Sequence, residues 1–189
     1  DIKDEWEKKR EKGIYIHSNI QEELKKDPEC LYSGDVNSRG ITGNYEPIEE
    51  KLKNGLYLEK PIISIRHGLV GVPDKIYIHK NTINVEDFKT FEKIYRTSPS
   101  IKIGSKYIKE KMAGPLSELD NCNYIDTVLQ LSLYMRLLWE SNRDLKVGKL
   151  YMTHVIADDN NKILEKNTEE VPYLREEVQN LLKYKKERM

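Results

Sequence analysis

The sequence predicts an α/β fold in which helices flank a mixed β-sheet. Three observations support this prediction. A helical pattern comes first, three β-patterned segments joined by short polar links follow it, and a nearly all-apolar helical segment precedes a fourth strand and a last helix. The chain has 189 residues, of which 38% are hydrophobic, so it is long enough for one ordinary domain with a modest core. We therefore expect residues 1–189 to form a single domain.

The N-terminal part of the chain is expected to contain one helix and one long loop. Over residues 4–26, apolar positions recur at spacings compatible with one helical face, and Gly13 indicates a break or a close contact there. Asp27-Pro28 ends this helix, because the residue before a proline disfavours helical geometry. Residues 30–55 contain four glycines and many polar groups, which predicts a long loop with a short helix near residues 46–52.

Three strands are expected next, over residues 56–66, 69–79 and 82–91. Each segment carries several isoleucine, valine or leucine residues in the pattern of a partly buried strand. The links at His67-Gly68 and Lys80-Asn81 are short and polar. Links of this length favour antiparallel hairpins, so we expect neighbouring strands to pair in opposite directions.

The C-terminal half contains the strongest helical pattern. Residues 93–119 hold prolines and glycines and are expected to be irregular, apart from a helix over residues 105–112. Residues 124–141 are mostly apolar, with leucines recurring along the segment, which predicts a largely buried helix. A strand is expected over residues 149–157, and a last helix begins near Pro172, since proline is favoured at the first helical position.

Composition excludes several classes of protein. Thirty-two basic residues balance thirty-two acidic residues, so any binding of nucleic acid would depend on local patches. No apolar run approaches the ~20 residues that span a bilayer, and no signal peptide is visible, so we expect a cytoplasmic protein without a membrane partner. Cys30 and Cys122 are too few for an iron–sulfur cluster and are expected to be free thiols. The chain begins with Asp rather than Met, which suggests a processed product or an excised domain.

The residues that indicate a chemistry lie on two neighbouring predicted strands. Pro73-Asp74 is followed, after twelve residues, by Asp87-Phe88-Lys89. Side chains alternate along a strand, so Asp87 and Lys89 share one face, and a tight hairpin can bring Asp74 beside them. Paired carboxylates suit Mg²⁺ or Mn²⁺, which can polarise a phosphoryl oxygen and lower the pKa of a bound water. The lysine can orient that water or stabilise developing negative charge.

This pattern resembles the PD-(D/E)XK nuclease superfamily. Two further segments resemble its RecB-like exonuclease branch, which includes phage-encoded members and the mitochondrial genome maintenance exonuclease. Upstream, Gly13 and His17 match the G-x-x-x-H helix of that branch, and downstream, Gln130 and Tyr134 match its Q-x-x-x-Y helix. The predicted α-β-β-β-α-β order is also the restriction-endonuclease-like core of the superfamily.

The resemblance implies a metal-dependent deoxyribonuclease that acts on single- or double-stranded DNA ends, and an exonuclease rather than a sequence-specific enzyme. It implies that Lys89 positions the attacking water and that Gln130 holds the water, the lysine or a substrate phosphate. The catalytic residues are then Asp74, Asp87, Lys89 and Gln130. The ligands of Mg²⁺ or Mn²⁺ are then Asp74, Asp87, the backbone carbonyl of Phe88, and His17.

Two positions near these motifs are additional candidates. Tyr134 lies four residues after Gln130, on the same helical face, and either stands near the active site or packs in the core. Some relatives carry a glutamate one helical turn after the histidine. This chain has Gln21 at that position, with Glu22 beside it as the substitute ligand.

Residues 93–112 form a local basic segment, with six basic residues against one acidic residue and two interleaved tyrosines. Cationic segments with aromatic residues suit a phosphate backbone and stacked bases, although a charge run is often only a solvated face. The candidate DNA-binding residues are Arg96, Lys102, Lys106 and Lys109. Two other functions stay open: a catalytically silent nucleic-acid-binding or assembly module, and a subunit that acts with a helicase or recombination partner.

Overall fold

The structure is a computed structural model that describes residues 2–34 and 51–188. Its three helices within these residues are α1 (Ile2–Leu24), α2 (Asn123–Ser141) and α3 (Arg175–Lys186). Its strands within the same residues are β1 (Cys30–Ser33), β2 (Gly55–Leu58), β3 (Ile62–Ser64), β4 (Leu69–Gly71), β5 (Lys75–His79), β6 (Thr82–Lys89), β7 (Ser100–Ile103), β8 (Lys106–Lys109), β9 (Lys146–Ala157) and β10 (Ile163–Val171).

A mixed six-stranded sheet forms the centre of the fold, in the order β1-β2-β5-β6-β9-β10. The β1–β2 and β6–β9 pairs are parallel, and the other neighbouring pairs in this sheet are antiparallel. The crossover between the parallel strands β6 and β9 passes through α2, as parallel pairing requires. The predicted α/β class, with a mixed sheet flanked by helices, is therefore confirmed.

The main core lies between the sheet and α2. The apolar side of β6 and β9 and the helix residues facing it are almost fully buried, and α3 packs against α2 from outside. The buried residues at this contact include Ile83, Val85, Leu150, Met152, Val128, Leu131 and Met135. Burial of aliphatic side chains at this density explains why the helix predicted for residues 124–141 forms over nearly the same span.

The first helix covers the opposite face of the sheet. Ile16 and Ile20 of α1 pack with Phe88 of β6 and Val155 of β9 in a second, smaller apolar cluster. The close contact predicted at Gly13 is confirmed, because a Cβ atom there would lie only 3.3 Å from Oγ1 of Thr90. The absence of a side chain at this position thus allows α1 to approach the end of β6.

The first two predicted strands are each divided in two. Pro61 and Pro73 stand in the breaks, where a residue without a backbone N–H cannot continue a central ladder. Between the breaks, β3 and β4 form a separate antiparallel pair joined by a short 3-10 helix. The predicted hairpin at Lys80-Asn81 is confirmed, with φ values of 50° and 59° that match a two-residue turn of the primed type.

Two expectations about secondary structure were wrong, and one strand was not expected. The helix expected over residues 105–112 is absent there, since β7 and β8 form a hairpin that turns at Gly104, where φ is 64°. Strand β1 lies in the segment expected to be a loop, and β10 is an edge strand whose mostly exposed residues give no apolar alternation. The short helix expected near residues 46–52 lies largely outside the described residues.

Two predictions based on composition can be compared with the structure. Cys30 and Cys122 are both free, and Cys122 is buried. Among the residues described, no helix combines the length and apolar character that crossing a bilayer requires.

Candidate active site

The antiparallel pairing of β5 and β6 places two acidic residues side by side. Lys75, the first residue of β5, lies opposite Glu86, so Asp74 stands next to Asp87 at the end of this ladder. Each aspartate side chain is at most 4% exposed. Two carboxylates at this depth require compensating donors or cations, because desolvation penalises the charged form. Keeping both carboxylates charged in this site therefore costs free energy unless positive charge or hydrogen-bond donors lie beside them.

Helix α1 brings His17 to the first of these carboxylates. Nδ1 of His17 lies 3.5 Å from Oδ1 of Asp74, and the other oxygen of Asp74 accepts a hydrogen bond from the backbone N–H of Phe88. The Phe88 ring also contacts the histidine edge-on, with ring centroids 6.1 Å apart. Phe88, whose carbonyl is the ligand implied by the resemblance, thus orients Asp74 through its N–H and supports His17 through its ring.

A third acidic residue, Glu59, completes a cluster that the sequence did not predict. One potential ligand atom from each of His17, Glu59 and Asp74 lies within 4.8 Å of the others, an arrangement that could hold a metal ion. Glu59 follows β2, is 4% exposed, and donates its backbone N–H to the carbonyl oxygen of Asp74 at 3.1 Å. One feature of the sequence could have indicated Glu59, which is its position directly after the apolar run Leu56–Leu58. A carboxylate buried at such a position costs stability unless it has a role.

The two residues considered for an acidic ligand on α1 lie elsewhere. Gln21 is buried and donates through Nε2 to Oγ of Ser33 at 2.9 Å and to the carbonyl oxygen of Gly34. It therefore ties the helix to the end of β1. Glu22 is exposed and pairs with Lys25 on the same helix, so the structure does not bring it to the cluster. The additional carboxylate comes from the sheet, through Glu59.

Lys89 is held between the second aspartate and helix α2. Its Nζ atom lies 2.6 Å from Oδ2 of Asp87 and donates to Oε1 of Gln130 at 2.9 Å. The amide nitrogen of Gln130 donates in turn to the hydroxyl of Tyr134 at 2.7 Å, one helical turn further on. An ammonium group has three donors, and the hydrogen bond to Gln130 uses one of them. Residues of two separate sequence motifs thus form one chain of polar contacts, which runs through Asp87, Lys89, Gln130 and Tyr134.

The pKa of Asp87 is raised from 3.8 to about 6. Burial is the largest cause, and the neighbouring negative charge of Asp74 adds to it, whereas Lys89 and His17 act in the opposite direction. At neutral pH the negative charge of Asp87 is consequently not fully balanced by the positive charges that the protein places around it. Additional positive charge beside Asp74 and Asp87 would relieve this, which is the chemistry of a site for a cation.

The predicted DNA-binding residues do not form a single patch. Arg96 donates to both carboxylate oxygens of Glu169, at 2.8 and 2.7 Å, and its guanidinium lies over the ring of Tyr124. It therefore connects the basic segment to β10. The three lysines lie on the exposed β7–β8 hairpin, which the strand register divides into two faces. Those lysines are Lys102, Lys106 and Lys109.

Fold and site together define an α/β protein with a candidate metal centre at the end of two antiparallel strands. Comparisons of the chain with protein-family models, with curated proteins and with solved structures found no match. A function for this protein is consequently inferred from the chemistry of the clustered side chains.

Proposed function

We propose that this protein is a metal-dependent DNA nuclease of the PD-(D/E)XK type, similar to the RecB-like branch, which hydrolyses phosphodiester bonds from DNA ends. One observation carries the proposal. Asp87, Lys89 and Gln130 are joined by direct contacts, and the Asp87 charge interacts with Asp74 of the His17–Glu59–Asp74 cluster. Buried acids, an imidazole and an ammonium gathered at the end of the central β5–β6 pair are costly for stability alone, and they are the groups that suit metal-assisted hydrolysis of a phosphodiester.

The residues that fit a divalent cation are Asp74, Asp87, Glu59 and His17. Carboxylate oxygens are the preferred ligands of Mg²⁺ and Mn²⁺, and an imidazole ligand favours Mn²⁺ of these two. When bound, such a cation polarises a phosphoryl oxygen and lowers the pKa of a coordinated water. The Asp74 carboxylate is already oriented by the Phe88 N–H, so little rearrangement of this ligand is needed.

Lys89 supplies a fixed positive charge. Asp87 and Gln130 restrain its ammonium group, and Tyr134 restrains Gln130, so the charge is positioned before substrate arrives. A donor that Gln130 does not use can hold an attacking water or a phosphate oxygen as negative charge develops. Donors that are positioned in advance stabilise a transition state at low reorganisation cost.

A direct test uses labelled single- and double-stranded DNA with Mn²⁺, Mg²⁺ or EDTA. We expect cleavage only with a divalent cation, loss of cleavage in EDTA, and recovery when Mn²⁺ is restored in excess. Circular single-stranded DNA should remain intact, since an exonuclease requires an end. Absence of cleavage with either metal, or equal cleavage by the Asp87→Asn variant, would refute the nuclease proposal. Binding without cleavage would instead favour a catalytically silent module.

Glu59→Gln tests whether the acid from the sheet belongs to the metal centre. The amide keeps the size of the side chain but removes the charge, so we expect the affinity for Mn²⁺ to fall at least about tenfold. The measurement is the free Mn²⁺ signal in electron paramagnetic resonance during titration. Glu22→Gln is the matched control, because that carboxylate is exposed and pairs with Lys25. Equal Mn²⁺ affinity in both variants would remove Glu59 from the proposed ligands.

A further inference from the structure

The β7–β8 hairpin is a small antiparallel sheet that stands outside the main one. Its pairing runs from Ser100 opposite Lys109 to Ile103 opposite Lys106. All eight strand residues are exposed, so the hairpin contributes little to the core. Its side chains are consequently available for contact with another molecule.

The register gives the hairpin two chemically different faces. Directly opposed residues lie on the same side of an antiparallel pair, and alternate residues of one strand share a side. One side, here called the basic face, carries Ser100, Lys102, Tyr107 and Lys109. The opposite side carries Ile101, Ile103, Lys106 and Ile108.

Tyr107 is the aromatic residue of the basic face, and it is largely exposed. Its side chain is 71% exposed, and Nζ of Lys102 lies 6.0 Å from its ring centroid. Lys109 is on the same strand two residues further on, which places it about 7 Å along the strand from Tyr107. An accessible aromatic ring with one ammonium group across the strand pair and another along the strand matches the alternation of bases and phosphates in a nucleic acid strand.

The hairpin is fixed to the helix that carries Gln130. The side chain of Asn123, the first residue of α2, accepts the N–H of Tyr95 and donates to the carbonyl oxygen of Lys93, each at 2.8 Å. Beyond the end of β8, Lys111 pairs with Asp120 at 2.8 Å. Lys93 is four residues beyond Lys89, so their Cα atoms are at most about 14 Å apart. The segment that leads into the hairpin therefore begins near the candidate active site and is held against the start of α2.

We propose that the basic face binds a single strand of nucleic acid, with Tyr107 stacked on a base and Lys102 and Lys109 on phosphates. Stacking on Tyr107 requires a base whose face is open, which a single strand offers and the interior of a duplex does not. That the bound strand leads to the active site rests on the proposed nuclease function. The binding itself does not depend on it.

The experiment measures fluorescence anisotropy of a labelled single-stranded DNA oligonucleotide with the whole chain in EDTA. We expect Tyr107→Ala to weaken binding about tenfold, as for loss of one stacked base. The double variant Lys102→Glu/Lys109→Glu should weaken binding and reduce the slope of log affinity against log salt by about 1.4, for two lost phosphate contacts. A matched RNA oligonucleotide shows whether the strand is DNA or RNA.

Lys106→Glu is the matched control, since it makes the same charge change on the opposite face of the same hairpin. We expect it to change affinity much less than Lys102→Glu, and Tyr107→Ala to leave binding of a blunt duplex unchanged. Equal losses for Lys102→Glu and Lys106→Glu, no effect of Tyr107→Ala, or an equal loss on duplex would overturn the proposal. Binding that depends on Tyr107, together with no cleavage in Mn²⁺, would refute the nuclease function alone.

Discussion

Replacement of Lys89 by methionine is expected to reduce DNA cleavage by at least about 10²-fold while Mn²⁺ binding is retained. Methionine keeps an unbranched apolar stem but removes the ammonium that contacts Asp87 and Gln130. The loss therefore falls on charge stabilisation and on positioning of the water. Metal affinity should stay the same or rise, because the Asp87 carboxylate no longer has a competing cation 2.6 Å from its oxygen. Single-turnover cleavage and a Mn²⁺ titration measure the two effects separately.

The chain offers a closely matched control for this variant. Lys75 of β5 pairs with Glu86 of β6 at 2.7 Å, on the face of these strands opposite to Lys89. The Lys75 side chain is 27% exposed, against 18% for Lys89. Lys75→Met removes a similar ion pair and should cost similar stability, yet leave the cleavage rate within about twofold. If Lys75→Met and Lys89→Met lose equal activity, the effect of Lys89 is structural. If Lys89→Met cuts normally, its proposed role in the reaction is wrong.

The parts of the site that could be predicted from sequence are those fixed by local geometry. Strand alternation placed Asp87 and Lys89 on one face, and the two-residue turn after β5 fixed the register that sets Asp74 beside them. The four-residue spacing on α2 likewise joined Gln130 to Tyr134. The outcome in these cases depends on the periodicity of one element or on one short connection.

The parts that could not be predicted depend on contacts between distant segments. Glu59 reaches the cluster because β2 ends just before it, with φ of 49° at Glu59 and Pro61 two residues later. No periodic pattern in the sequence marks such a break. The β7–β8 hairpin escaped prediction because its apolar residues face solvent rather than a core. In a short apolar run, a pattern of buried positions normally distinguishes a strand from a helix. All eight strand residues of this hairpin are exposed, so that pattern is absent here.

Asp87→Asn is expected to stabilise the metal-free protein at pH 8 by about 1–3 kcal/mol, although it should abolish cleavage. The folded protein raises the pKa of Asp87 to about 6 from 3.8, mainly by burial and by the charge of Asp74. The folded state therefore binds this proton more tightly than the unfolded state. Its contribution to stability is complete below about pH 4 and is lost as the pH rises through 6. Asparagine resembles the protonated acid, so the gain should be present at pH 8 and absent near pH 4.

Urea unfolding at pH 4, 6 and 8, with EDTA or with Mn²⁺, distinguishes this explanation from a general effect of removing an acid. Asp120→Asn is the control of opposite sign, because the hydrogen bond from Lys111 lowers the pKa of Asp120, so that removal of this carboxylate should not stabilise the protein at pH 8. Mn²⁺ at 1,000 times its dissociation constant should reverse the order of wild type and Asp87→Asn, since a ligand at that concentration stabilises the state that binds it by about 4.1 kcal/mol. A gain for Asp87→Asn that is independent of pH, or that persists in Mn²⁺, would mean that this buried carboxylate is not kept for a cation.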